Sequence, residues 1–218
     1  MIFERLISIC FHPIFMPLIM FHAMVITIPE IKFILSYNVN LTYWIIIISS
    51  IIVPLVSTFV FTKINKTDSL EMAAKEERVV PLLYSSASIL LGCMFLNNLF
   101  LYTPILLVVF FGASIISLIA SLISVFWKIS LHMLGVGGAL GAFIAIGLLY
   151  NKFISIIIFF TLIAGFVAFA RLKSNAHNEA QVYVGFFLGL FIEMLITLNY
   201  SDVISIISIF LSSIASIL

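Results

Sequence analysis

Three short polar clusters hold most of the residues of this chain that are capable of group-transfer chemistry. They are Lys75-Glu76-Glu77-Arg78-Val79-Val80-Pro81, Lys128-Ile129-Ser130-Leu131-His132, and Arg171 followed by His177 and Gln181. Two histidines, two arginines, two lysines and a serine form a set able to hold a phosphate and pass it through an imidazole. An unprotonated imidazole nitrogen is a nucleophile toward phosphorus. Phosphoryl transfer is otherwise mostly positioning and charge stabilisation, which converging cations supply. His177 and Gln181 have the spacing that places two side chains on one helix face. Gln181 is there expected to accept a hydrogen bond from one ring nitrogen of His177 and fix its tautomer. Arg171, in the connection leading into that helix, and the helix N-terminus both favour an anion. Lys128 and Ser130 offer contacts to phosphate oxygens. His132 offers an acid for a leaving alkoxide and a base for water. Lys75 and Arg78 add two more cations.

The elements that must position these residues are membrane spans. The sequence is 64% hydrophobic and only 9% charged, against about 25% charged in a soluble domain. Its mean hydropathy is +1.33. A water-soluble fold cannot bury so much apolar surface, so the class is a polytopic, all-α membrane helical bundle forming a single domain over 1–218. A net charge of +1 gives no basis for nucleic-acid binding. Cys10 and Cys93 sit in apolar stretches without metal-ligand spacing and read as small buried residues. The first apolar run is too long for the core of a signal peptide and reads as a retained helix.

A span needs roughly 20 apolar residues. Span one reads as Leu6 to Pro29, and span two lies within Phe33 to Thr62, from about Leu41. The polar stretch 63–80, with Lys63, Lys66, Asp68 and Glu71, reads as a loop or short amphipathic helix, and Pro81 suits the first turn of the next helix. The uncharged run Val79 to Trp127 is too long for one helix and is divided at Tyr102-Thr103-Pro104 into spans three and four. Spans five to eight are expected near 131–150, 153–170, 180–198 and 203–218. The overall range is about six to eight spans. Two spans separate each cluster from the next, so all three lie on one side of the membrane and are able to converge.

Other polar residues have plainer readings. His12 and His22 lie in span one with no identifiable partner, and Glu193 is a charge within span seven that needs buried surroundings. Gly135, Gly137, Gly138 and Gly141 lack the strand-turn-helix context of a nucleotide loop. Gly137-x3-Gly141 and Gly185-x3-Gly189 instead match close helix packing in membranes.

Taken together, Arg171-x5-His177, Ser130-x-His132 and a basic first motif followed by Pro81 resemble the three motifs of the type 2 phosphatidic acid phosphatase superfamily, which includes the vanadium haloperoxidases. The family patterns are Lys-x6-Arg-Pro, Pro-Ser-Gly-His and Ser-Arg-x5-His-x3-Asp. The resemblance covers roughly residues 75–190 and implies a phosphatase-like helical core there. It implies His177 as nucleophile and His132 as acid-base, with Arg78, Arg171, Lys75, Lys128 and Ser130 around the phosphate. It implies no metal and no cofactor, and a lipid or isoprenoid phosphate as substrate. The chain departs from the patterns at Gln181, where the family has aspartate, and at Lys128-Ile-Ser-Leu-His, where the family has Pro-Ser-Gly-His. Ala170 stands in place of a serine, and Lys75 and Arg78 are closer together than in the family.

Two functions follow. One is a metal-independent phosphatase working through a phosphohistidine, with the substrate chain in the bilayer. The other is an inactive relative that binds anionic lipid headgroups or serves as a structural subunit of a membrane assembly, including a homo-oligomer. A polytopic prenyltransferase is disfavoured, because the nine acidic residues form no aspartate-rich motif. The cluster side carries Arg5, Lys63, Lys66, Lys75, Arg78, Lys128, Arg171 and Lys173, against Lys32 and Lys152 on the other. By the positive-inside rule the clusters face the cytoplasm, and the expected location is a bacterial inner membrane.

Overall fold

The computed structural model describes residues 2–65, 75–97 and 103–215, and over these the chain is all-helical. Lys66, Asp68 and Glu71 of the polar stretch, Tyr102 at the expected division of spans three and four, and residues 216–218 lie outside the described residues. Among the described residues, seven helical stretches are long and apolar enough to cross a membrane. The protein is an all-helical membrane protein.

The first stretch is α1 (Ile2–Cys10), a tight turn at Pro13–Phe15, and α2 (Met16–Thr27). Pro13 causes the break. It cannot donate to the preceding turn, and it pushes His12 into an extended conformation at φ −63, ψ 137. A short α3 (Pro29–Ile34) connects to α4 (Val39–Ile47), a π-turn at Ile48–Ile52, and α5 (Val53–Asn65). Pro54 lacks the N–H that would bond the carbonyl of Ser50, so the ladder widens there without ending. The remaining spans are α6 (Val79–Asn97), α7 (Pro104–Phe126), α8 (Leu131–Tyr150), α9 (Ile154–Lys173) and α10 (Glu179–Leu198).

Two boundaries differ from expectation. The eighth crossing expected at 203–218 is α11 (Tyr200–Ala215), 16 residues long and shorter than a span. Span six does not stop at 170. It continues as α9 to Lys173, so Arg171 is part of a helix and not of the connection after it. This difference, counted among the described residues, follows all three clusters, so their placement at one end of the bundle is unaffected.

The core is built on α8, whose faces are buried along most of its length. It packs most closely on α10, and the glycines make this possible. A methyl at Gly137 would strike the carbonyl of Phe186, one at Gly141 that of Leu190, and one at Gly189 that of Leu134. At Gly185 it would lie 2.7 Å from the carbonyl of Ser130. In lipid there is no hydrophobic drive between helices, so such backbone approach carries the association. Gly137→Ala is therefore expected to destabilise the bundle by about 1–3 kcal/mol, read as a lower unfolding temperature in detergent.

The α6–α7 pair is held by serines. Ser86 and Ser114 exchange hydrogen bonds to each other's carbonyls at 2.9 Å. Toward the cluster end, Ser117 donates to the Leu82 carbonyl at 3.1 Å and Ser121 to that of Val79 at 2.7 Å. Each such interhelical bond contributes about 0.6 kcal/mol on average. The last of them fixes the start of α6, and with it Arg78, against α7.

Candidate functional site

The third cluster is assembled by two helix ends. The last turn of α9 closes with a bond from the Ala176 N–H to the Arg171 carbonyl at 3.2 Å, while Asn175 takes a left-handed conformation at φ 52. Asparagine tolerates that region better than other non-glycine residues, and the motif reverses the chain. Arg171, on the final turn of α9, thus comes back beside His177, just ahead of α10. Asn178 caps α10. Its side chain accepts from the Gln181 N–H at 2.9 Å, and the Gln181 side chain accepts from the Asn178 N–H at 3.3 Å. This reciprocal capping box satisfies two helix-end donors.

His177 lies outside the helix, so it does not share a helix face with Gln181. The capping box joins them instead. Gln181 Oε1, held by the Asn178 N–H, also accepts from His177 Nδ1 at 2.8 Å. That oxygen is only an acceptor, so Nδ1 carries the proton and Nε2 is the unprotonated nitrogen. Burial holds the imidazole down to about 4, and the positive charges of Arg78, Arg171 and Lys128 push the same way against the Gln181 hydrogen bond. At neutral pH the ring is uncharged.

The second cluster starts in the segment between α7 and α8 and ends in the first turn of α8. Arg78 Nη1 donates to the Ile129 carbonyl at 3.2 Å, and the Ser130 N–H donates to the Gln181 carbonyl at 3.3 Å. The starts of α6 and α10 are thereby tied to one strand of backbone. His132, in the first turn of α8, donates Nε2–H to the Ser8 carbonyl at 3.0 Å. A carbonyl cannot donate, so Nδ1 is the nitrogen left for proton transfer. The His12 ring stands edge-on to His132, with centroids 5.1 Å apart.

These residues surround a cavity of about 600 Å³, lined by His12, Arg78, His132, Arg171 and His177, and farther along the helices by apolar side chains and Glu193. Arg78, His132 and His177 are all buried. Gln181 stands behind His177, outside the cavity lining. Three other expected phosphate contacts also do not line it. Lys75 Nζ caps the end of α7, donating to the carbonyls of Phe126 at 2.9 Å and Val125 at 3.3 Å. Ser130 is fully buried, and its hydroxyl has no hydrogen-bond partner among the described residues. Lys128 is half-buried and is held below its ordinary value by burial and by Arg78 and Arg171.

Helix α1 contributes a side of the site that the three clusters do not contain. Ser8 receives both His132, on its carbonyl, and Arg171 Nη1, on its hydroxyl at 3.3 Å. One turn earlier, Glu4 pairs with Lys173 at 2.9 Å. Glu4, Ser8 and His12 recur every fourth residue, so the polar face was present in the sequence as a pattern. His22 is apart from this group. Its Nδ1 and the Tyr43 hydroxyl are 2.7 Å apart.

Searches against protein-family models, curated proteins and solved structures find no match to this chain.

Proposed function

We propose that the protein is a metal-independent membrane phosphatase that hydrolyses a lipid or isoprenoid phosphate through a phosphohistidine. The observation that carries this reading is the state of His177. Its ring is neutral, has Nδ1 committed to Gln181, and borders a cavity shared with two arginines and a second histidine. In the first half-reaction His177 Nε2 bonds to phosphorus as the ester P–O bond breaks, and the proton of a phosphate monoanion reaches the leaving alkoxide through His132 Nδ1. In the second, His132 takes a proton from water, the hydroxide bonds to phosphorus, the P–N bond breaks, and His132 returns the proton to the departing phosphate. Arg78 and Arg171 stabilise the charge spread over the phosphoryl oxygens. A lipid-linked substrate is favoured because Leu55 and Phe59, both about half exposed on the outside of the bundle, also line the cavity. The charge bias between the two ends of the bundle supports a cytoplasmic site, and a bacterial inner membrane is the proposed location.

A second reading, binding of an anionic headgroup without turnover, is favoured by the positions of Lys75, Lys128 and Ser130 outside the cavity lining. Phosphate release from a panel of lipid and isoprenoid phosphates by the purified chain, in excess chelator, separates the two. Turnover is expected, and kcat/KM is expected to fall as pH drops through about 4, where free His177 gains its proton. Below that pH the imidazolium is no longer a nucleophile. A bound phosphate raises the value, so the acid limb of kcat lies at higher pH than that of kcat/KM. Stable binding with no release in any condition favours the second reading.

A further inference from the structure

Glu193 takes no part in the chemistry above, yet it borders the same cavity. It is 3% exposed, its Oε1 has no hydrogen-bond partner among the described residues, and it forms no ion pair with any of them. Room for the carboxyl is made by Gly112 on α7, where a methyl group would strike Oε2. Following each helix away from the clusters, the cavity lining ends at Met20, Ser50, Ile89, Val109, Ala139 and Glu193. Arg78, in the turn just before α6, and Ile89 are eleven residues apart along a continuous helical path, a rise of roughly 16 Å. The cavity therefore reaches about halfway through a hydrocarbon core of roughly 30 Å. It has cations and histidines at one end, walls that are apolar apart from Ser50, Thr58, Ser85 and Ser117, and an ionisable group at the other end.

We infer that Glu193 sets the length of apolar chain that the cavity accepts, so that the ligand is an anionic lipid whose chain ends short of this carboxyl. The inference rests on the reading of the cationic end as a phosphate site. An alkyl end pressed onto Glu193 strips the carboxyl of hydrogen-bonding partners and supplies none, which is costly in an apolar site. A shorter chain leaves the carboxyl free to hydrate. For a chain that lies along the cavity and does not leave past Leu55 and Phe59, the depth selects against length by desolvating Glu193, and a neutral apolar residue there removes the selection.

The experiment is titration calorimetry of the full chain in detergent with decyl-, tetradecyl- and octadecylphosphonate, corrected for partition into empty micelles. These ligands have no ester bond to cleave, so binding is read apart from turnover. Wild type is expected to bind the decyl compound at least about tenfold more tightly than the octadecyl compound. Glu193→Leu is expected to lose that preference, and Glu193→Gln, which keeps size and polarity, to retain it. Equal affinity of wild type for short and long chains overturns the inference, as does a preference unchanged in Glu193→Leu. Either result, with phosphonate still bound, leaves the headgroup site standing. Failure of wild type to bind any phosphonate overturns the headgroup reading and the inference together.

Discussion

His177→Ala is expected to lower phosphate release from a lipid phosphate by roughly three orders of magnitude or more, with little change in KM. In the proposed chemistry the substitution removes the atom that bonds to phosphorus, and Arg78 and Arg171 stay in the cavity lining. The fold should survive it. The cap of α10 is made by Asn178 and Gln181 through each other's backbone N–H groups, and neither bond needs the imidazole. The variant should therefore elute and unfold like wild type in detergent while failing to turn over. Equal release by the two proteins contradicts the proposed chemistry.

Arg171→Ala is expected to lower kcat/KM by about 10²–10³-fold, the loss seen when one preorganised charge-stabilising donor is removed from a reacting centre. Two effects combine. The cavity loses the guanidinium that the proposed chemistry sets against the phosphoryl group, and α9 loses its tie to Ser8, whose carbonyl also holds His132. Arg171→Lys keeps the charge and loses the planar fork. It is expected to fall between wild type and Arg171→Ala. Steady-state kinetics on a soluble short-chain phosphate ester reads the series without interference from lipid partition.

Helix content and the common side of the clusters were legible because both follow from long-range counts. Apolar run lengths give crossings, and an even number of crossings returns the chain to the same face. Local geometry was less legible. His177 and Gln181 have helix-face spacing, but Asn178 between them is a stronger capping residue, so the helix starts after the histidine and the pair meets through the cap. Arg171 was read as a loop residue because a charge ends an apolar run. In the structure α9 runs past it to Lys173, and the left-handed Asn175 makes the turn. Lys75 looked like a phosphate contact from its charge alone, but the exposed carbonyls at the end of α7 engage it. The largest omission was α1. Glu4, Ser8 and His12 repeat at a helical period within an apolar stretch, a weak signal while their partners, Lys173, Arg171 and His132, lie far away in sequence.

The most direct measurement is a search for the covalent intermediate. The purified chain is incubated briefly with a phosphorus-labelled lipid phosphate, quenched in alkali, and mapped for protein-bound phosphate. Label that is stable in alkali and labile in acid, located on His177 and missing from His177→Ala, is the expected result. Phosphate release that proceeds while His177 stays unlabelled, or label found on another residue, contradicts it.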